Sequence, residues 1–374
     1  MQKREATFAE IQQQPEMWQR TTELWQQCRG MFSDFLEAIL KRHGQLRVVL
    51  TGAGTSAYVG DILAPHLNRF ADPRLHFEAI ATTSLVSAPE LFFSKEPTLL
   101  VSFARSGNSP ESLAACEIAR KAVTDLYLLG ISCAAEGKLA QDLAKDPAAF
   151  LFLLDDRCND RGFAMTSSFS SMLLAALLLF ESADETAKIK KVESVCRLGQ
   201  FALSAGDKWQ ELGEQGFSRV IYLGSGCLAA LTREAQLKIL ELTAGRITTC
   251  FDSSMGFRHG PKSFVNEDSL VVQFVSPDPY TRQYDEDILA ELRSDKIARR
   301  VFALAQKEEG DGLVFPAAPE LEDAWLALPY VIPAQLIAAC SARHIQNDVD
   351  NPSASGTVNR VVKGVSIHPW REKS

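Results

Sequence analysis

The sequence predicts an α/β protein of two tandem doubly wound domains, each a parallel sheet flanked by helices, with N-terminal helices and a C-terminal tail. Three observations predict it. A strand at Leu46–Leu50 hands over through Thr51-Gly52-Ala53-Gly54 to Thr55, Ser56 and a helix. A second strand, Leu99–Phe103, ends in Ala104-Arg105-Ser106-Gly107-Asn108-Ser109-Pro110, after which Leu113, Cys116, Ile118 and Ala119 recur at helical spacing. The pattern then returns: Arg219–Leu223 runs into Gly224-Ser225-Gly226, and Leu270–Val275 repeats Leu99–Phe103. The separations from Gly52 to Gly224 and from Phe103 to Phe274 agree within one residue, which marks an internal duplication.

At 374 residues the chain is long enough for two α/β domains with full cores. With 46% hydrophobic and 23% charged residues, disorder is confined to the ends. A net charge of −8 argues against nucleic acid or an anionic membrane as partner. Residues 1–10 lack the apolar core of a secretory signal, and the longest apolar run, Met172–Phe180, is too short to span a bilayer. Eight scattered cysteines without metal-type spacing suit a reducing cytoplasm and speak against a structural zinc.

In chain order, residues 1–45 read as amphipathic helices around Trp18, Leu24, Trp25, Phe32, Phe35 and Ile39. A first domain spans 46–195, with further strands at Leu75–Ala81, Leu126–Ser132 and Ala149–Leu154. Residues 184–216 form a charged helical connector, a second domain spans 196–345, and 346–374 are a tail.

The Ser106–Ser109 turn is the first candidate site. Short polar side chains around a glycine, where a strand passes into a helix N-terminus, present hydroxyls, an amide and free N–H groups to one anion. The competing reading is a plain cap, with Ser109 as N-cap and Pro110 in the first turn; capping needs one hydroxyl, and the turn carries more. Arg105 offers local positive charge. The Gly52 turn also fits a dinucleotide fingerprint, but Glu78, the acid at the expected distance, lies inside its strand instead of closing it. Thr55 and Ser56 instead add hydroxyls at a second strand end. Thr166, Ser167 and Ser168 gather at another helix start, where capping and ligand contact are equally good readings.

The second copy has diverged. Ser276-Pro277-Asp278-Pro279 replaces the serine turn; its prolines lack N–H donors and its aspartate repels phosphate, so only the first copy is expected to bind an anion. The second copy offers Glu241, an acid in an aliphatic helical setting, either a proton carrier or a plain solvent-facing glutamate. It also offers Arg258 and His259 in the turn Gly256–Lys262, where a glycine-flanked histidine is no ordinary core residue.

With these residues in place, the chain resembles the sugar isomerase (SIS) family over most of its length, nearest to its galactosamine-6-phosphate deaminase/isomerase branch, also labelled tagatose-6-phosphate ketose/aldose isomerase. The landmarks are Gly54-Thr55-Ser56, the Ser106–Ser109 loop, Glu241, His259-Gly260-Pro261 and Asp348-Val349-Asp350 with Pro352; Arg161–Ser168 and Ser353–Val362 add to them. The resemblance implies a cytoplasmic enzyme needing neither metal nor nucleotide cofactor, acting on a small sugar phosphate, and working as a homodimer or higher homo-oligomer. It implies that Ser106, Ser109 and the backbone of Gly107 and Asn108 hold the 6-phosphate with Ser56 assisting, and that Thr55, Thr166 and Ser167 face the sugar hydroxyls. Glu241 would move a proton between C2 and C1, and His259 would open the ring, reaching from the neighbouring subunit as the likeness to the amidotransferase relatives implies. Arg258 stands where those relatives carry a lysine; Lys363 falls near their C-terminal lysine, but its flanks match poorly and it receives no role.

The expected reaction is deamination of D-galactosamine 6-phosphate to D-tagatose 6-phosphate and ammonia. The alternatives are aldose–ketose isomerisation of a non-amino hexose 6-phosphate, or a non-catalytic phosphosugar sensor, which has no need of Glu241 and His259 and usually brings a DNA-binding head.

Overall fold

The computed structural model describes residues 5–362 and 364–371, so Lys363 and the first four residues lie outside the described residues. Two helices open the chain, the short α1 (Ala6–Gln12) and the long α2 (Gln14–His43). The first repeat follows as β1 (Leu46–Thr51), α3 (Thr55–Phe70), β2 (Leu75–Ala79), α4 (Thr82–Ser87), α5 (Pro89–Phe92), β3 (Thr98–Ala104), α6 (Pro110–Ala122), β4 (Leu126–Ser132), α7 (Lys138–Leu143), β5 (Ala149–Leu153) and α8 (Ser167–Phe180). The expected connector is helical, α9 (Glu185–Ser204) and α10 (Gly206–Glu214). The second repeat is β6 (Arg219–Gly224), α11 (Gly226–Leu242), β7 (Thr248–Ser253), β8 (Ser269–Phe274), α12 (Thr281–Asp295), β9 (Arg300–Ala305), β10 (Gly312–Val314) and α13 (Asp323–His344).

The sheets carry the duplication. The first has the order β2-β1-β3-β4-β5 and the second β10-β9-β8-β6-β7, every pair parallel. Read from its other edge, the second repeats the first strand for strand. In each, the order reverses between the first and third strands of the repeat, where doubly wound sheets open a crevice for ligands. Every residue of β3 and of β8 is buried, as expected of parallel strands covered on both faces. Glu78 of β2 is held by Arg47 of β1 through two hydrogen bonds of 2.9 and 2.8 Å, which lower its pKa and commit it to the sheet.

The chain divides into two compact units. The first comprises Met17–Asp160, Ser167–Lys188 and Val358–Ser374 and contains the first sheet; the second comprises Met1–Glu16, Arg161–Thr166 and Ile189–Thr357 and contains the second sheet. Both terminal segments and the stretch around 161–166 are thus apportioned between the units, unlike the expected cuts at 45, 195 and 345. In the first unit all of α8 is buried, so its apolar run serves as a core helix. In the second unit α13 is longer and equally central, with Ala324–Ala342 buried despite Pro329 and Pro333 in its interior. By length and composition α13 alone among the described helices suffices to cross a membrane, but its apolar window is entirely buried against the rest of the chain. The sequence reading, which weighed only Met172–Phe180, missed this helix.

The late Asp348–Asp350 landmark has a structural role within the second unit. The Asp350 carboxylate accepts from the N–H groups of Ala6 and Thr7 at 2.9 and 2.8 Å, satisfying the start of α1 from across the sequence. Its carbonyl accepts from Phe163, while Glu10 takes the Arg161 N–H at 2.6 Å. A Cβ at Gly162 would lie 2.5 Å from the Thr7 hydroxyl, so only glycine permits this approach.

Candidate active site

In the first unit, β1 and β3 are neighbours, with Thr51 opposite Ser102, so the turns that follow them sit side by side at the switch point. The turn after β3 is held by backbone. Gly107 has φ +65° and its carbonyl accepts from Leu139 at 3.0 Å, while the Asn108 side chain accepts from the Lys138 N–H at 3.1 Å. A Cβ at Gly137 would lie 2.2 Å from the Ser106 carbonyl oxygen. The start of α7 therefore buttresses the serine turn, a support the sequence reading did not see. Ser109 is the N-cap residue of α6, with extended backbone and Pro110 in the first turn, yet its side chain makes no capping hydrogen bond. That separates the two sequence readings: the helix begins where capping predicts, but the hydroxyl is not spent on it.

Thr55 and Ser56 open α3 after Gly54, whose φ is +57°, and both are buried. Gly52 cannot be larger, since a Cβ there would lie 2.5 Å from the Ser56 backbone. Arg105 is buried, and its guanidinium donates at 2.5 Å to the carbonyl of Arg360. Ser167 is fully buried at the start of α8, where the Asp160 carboxylate accepts from the N–H groups of Ser167 and Ser168, each at 3.0 Å, and from the Ser168 hydroxyl. An internal anion thus already satisfies that helix N-terminus. Thr166, also buried, belongs to the second unit. A cavity of about 430 Å³ lined by Trp25, Arg29, Phe32, Asp72 and Lys188 contains none of these site residues.

In the second unit, Glu241 sits in the last turn of α11 beside a lysine. Lys238 is fully buried and lies 2.8 Å from the Glu241 carboxylate and 3.2 Å from that of Glu234, itself fully buried. Burial disfavours the Lys238 charge, but the two carboxylates outweigh it and hold its pKa above the ordinary lysine value. The aliphatic setting expected for Glu241 is therefore replaced by a fixed ammonium partner. The spacing Glu234, Lys238, Glu241 places all three on one helix face, a signal present in the sequence and not used.

The histidine turn is anchored on both sides of its tip. Phe257 is buried in the core of the second unit, and Arg258 donates to Glu291 of α12 at 2.6 Å. Lys262 also reaches Glu291, and these two cations lower its pKa. Gly260 has φ +127°, and His259 is left exposed. Arg258, expected among the catalytic residues, is placed as an anchor of that turn.

The second switch point is filled from within. Asp285 accepts from the Ser225 hydroxyl at 2.6 Å, the Ser276 N–H at 2.9 Å, the Ser254 hydroxyl and Gln273. Asp323 accepts from the Ser276 hydroxyl at 2.8 Å. Among the described residues no three His, Cys, Asp or Glu side chains form a metal-ligand set.

Two parallel sheets of one strand order, the first with hydroxyl-bearing turns at its switch point, define a protein with tandem sugar isomerase domains. No family model matches the chain. A D-galactosamine-6-phosphate deaminase AgaS of Escherichia coli is 44% identical over 373 residues, covering 98% of this chain and 96% of its own. One of Shewanella sp. (strain ANA-3) is 42% identical over 370 residues, covering 97% and 92%. The crystal structure of a tagatose-6-phosphate ketose/aldose isomerase from Escherichia coli superposes with a TM-score of 0.88 at 40% identity, covering 98% of this chain and 97% of that one. The chain belongs to the AgaS family of D-galactosamine-6-phosphate deaminases.

Proposed function

We propose that the chain is a cofactor-independent enzyme that deaminates D-galactosamine 6-phosphate to D-tagatose 6-phosphate and ammonia. The observation that carries the reading is the Ser106–Ser109 turn at the start of α6, with a hydroxyl unused by the cap. The near full-length likeness to AgaS deaminases supports the same substrate. Ser106, Ser109 and the N–H groups of Gly107 and Asn108 hold the 6-phosphate; Thr55, Ser56, Thr166 and Ser167 serve the sugar. His259 moves the proton that opens the ring, which exposes the C1 aldehyde and acidifies the C2 hydrogen. Glu241 takes that proton, leaving an enolamine, and returns it at C1 to give a ketimine at C2. Water adds to the ketimine carbon, the nitrogen leaves as ammonia, and the ketone remains. Lys238 fixes the carboxylate that makes the transfer.

With a hydroxyl on C2 the same proton transfers interconvert an aldose and a ketose, so isomerisation is the second reading; the name of the similar crystal structure favours it. Ammonia release from galactosamine 6-phosphate, measured beside glucosamine 6-phosphate and the N-acetylated and 2-hydroxy analogues, separates the two. Fastest release from galactosamine 6-phosphate supports the reading; isomerisation of the 2-hydroxy analogue without ammonia from either amino sugar overturns it.

A cytoplasmic homodimer or higher homo-oligomer belongs to the same proposal. All eight cysteines are free, and His259 projects on an anchored, exposed turn suited to a neighbouring subunit. Mixed oligomers of a Ser106→Ala/Ser109→Ala chain with a His259→Ala chain then regain activity; verified mixed oligomers that stay inactive contradict a donated histidine.

A further inference from the structure

The C-terminal tail joins the first unit at Val358, and at Arg360 it meets the carboxyl ends of the strands. Three of those ends are knitted together. Ala104 at the end of β3 accepts from the Cys133 N–H after β4, at 3.3 Å, and Ser132 of β4 accepts from Leu154 after β5, at 2.9 Å. Arg360 spans the row. Its carbonyl accepts from the Arg105 guanidinium at the β3 end, while its own guanidinium donates to Asn159 Oδ1 at 2.9 Å and to the Asp160 carbonyl beyond β5, at 2.8 Å from Nε. The carboxylate of that same Asp160 closes the start of α8. Farther along, residues 364–369 are exposed, and Trp370 borders a hollow formed with Pro89, Phe93, Lys95 and Ala122.

Arg105 precedes Ser106 directly. A buried guanidinium is costly unless its donors find acceptors, so the Arg360 carbonyl helps to set where Arg105 points, and with it the course of the chain into the serine turn. Two fixed guanidinium groups also bring positive charge to these strand ends in a chain of net charge −8.

We propose that Arg360 is a positioning residue of the phosphate site: by tying the tail across the ends of β3, β4 and β5 it fixes Arg105 and the Ser106–Ser109 turn. The inference rests on the reading that this turn holds the substrate phosphate. It predicts that loss of the Arg360 guanidinium weakens phosphate binding and leaves the proton transfers of Glu241 intact.

The test measures KM and kcat for galactosamine 6-phosphate, and the inhibition constant of inorganic phosphate, for Arg360→Ala, Arg360→Lys and Asn159→Ala. Arg360→Ala raises KM and the phosphate constant roughly tenfold, the scale of one or two lost charge-assisted hydrogen bonds, with kcat little changed. Arg360→Lys falls between it and the native chain, Asn159→Ala shifts the constants in the same direction by less, and millimolar guanidinium ion restores affinity to Arg360→Ala. Trp370→Ala, which frees the far anchor, leaves KM near the native value. A KM unmoved by Arg360→Ala, a fall in kcat alone, or an equal rise in Trp370→Ala overturns the proposal; should Arg360→Ala not fold, an unmoved KM in Asn159→Ala does so. Ser106→Ala/Ser109→Ala keeps the two levels apart. If it leaves phosphate binding untouched, the functional reading of the turn falls; if it weakens binding while the Arg360 variants do not, only the present inference falls.

Discussion

The two switch points of this molecule share one strand order and differ in what meets their hydroxyl and N–H groups. In the first unit, the turn between β3 and α6 carries serines around a left-handed glycine, and Ser109 keeps its hydroxyl out of the cap. In the second, the turn between β8 and α12 is closed by Asp285, which takes hydrogen bonds from Ser225, Ser254 and Ser276. Asp285 is the fifth residue of α12; the fifth residue of α6 is Ala114. At this helix position the second half carries a carboxylate that takes up the donors of its strand-end turn, and the first half carries a buried alanine. A duplicated fold has thus kept its strand order while its second strand-end turn changed in several places at once, in the prolines and aspartate of Ser276–Pro279 and in the Asp285 carboxylate that takes up the remaining donors.

The comparison predicts which half each kinetic constant reports. Glu241→Gln in the second unit removes the base but keeps its shape, so kcat falls by about 10²–10⁴ while substrate still binds. Solvent deuterium entering C2 at the native rate in that variant would take Glu241 out of the mechanism.

Ala114→Asp imports the device of the second half into the first. With Ala114 almost fully buried, the new carboxylate competes for the donors of the serine turn, and KM rises by about tenfold or more with a smaller change in kcat. An unaltered KM in a folded Ala114→Asp protein breaks the equivalence of the two helix positions.

The smallest effect concerns stability. Burial pushes the Asp323 pKa up from 3.8 to about 7; the Ser276 hydrogen bond opposes this, and Asp285, Asp278 and Glu322 add to it. Because the folded chain holds this proton more tightly than the unfolded one, the stability it supports is fully present below the unfolded value and is lost as pH rises towards 7. Replacing the ionisable group in Asp323→Asn flattens the fall of Tm between roughly pH 4 and pH 8, with a gain at pH 8 on the order of 1–3 kcal/mol. Parallel Tm–pH curves for the two proteins contradict this account of the filled switch point.

The sequence shows much of this arrangement, but unevenly. The first repeat is legible because its strands are continuous apolar runs ending in glycine or serine turns, and Gly224 and Phe274 announce the second. β7 escapes because it lies at a sheet edge, where Thr248 and Phe251 are exposed and no strong pattern remains. β10 is three residues long, and α13 hides behind Pro329 and Pro333, which ordinarily end a helix. At the site, the serine turn and the histidine turn are written in local residues. Its supports are not: the buttress by α7, the pairing of Arg258 with Glu291 and the reach of Arg360 to Asp160 join distant parts of the chain. Asp285 is the plainest case, an ordinary acid in a charged helix until the sheets are laid over one another.

Equilibrium titration with a non-reactive hexitol 6-phosphate, followed by calorimetry, tests the contrast between the two halves most directly. The account predicts one bound phosphosugar per chain, lost in Ser106→Ala/Ser109→Ala, where each missing hydrogen bond to the phosphate costs roughly 1.5–3 kcal/mol. A full site per chain surviving in the folded double variant would place the phosphate elsewhere and contradict it.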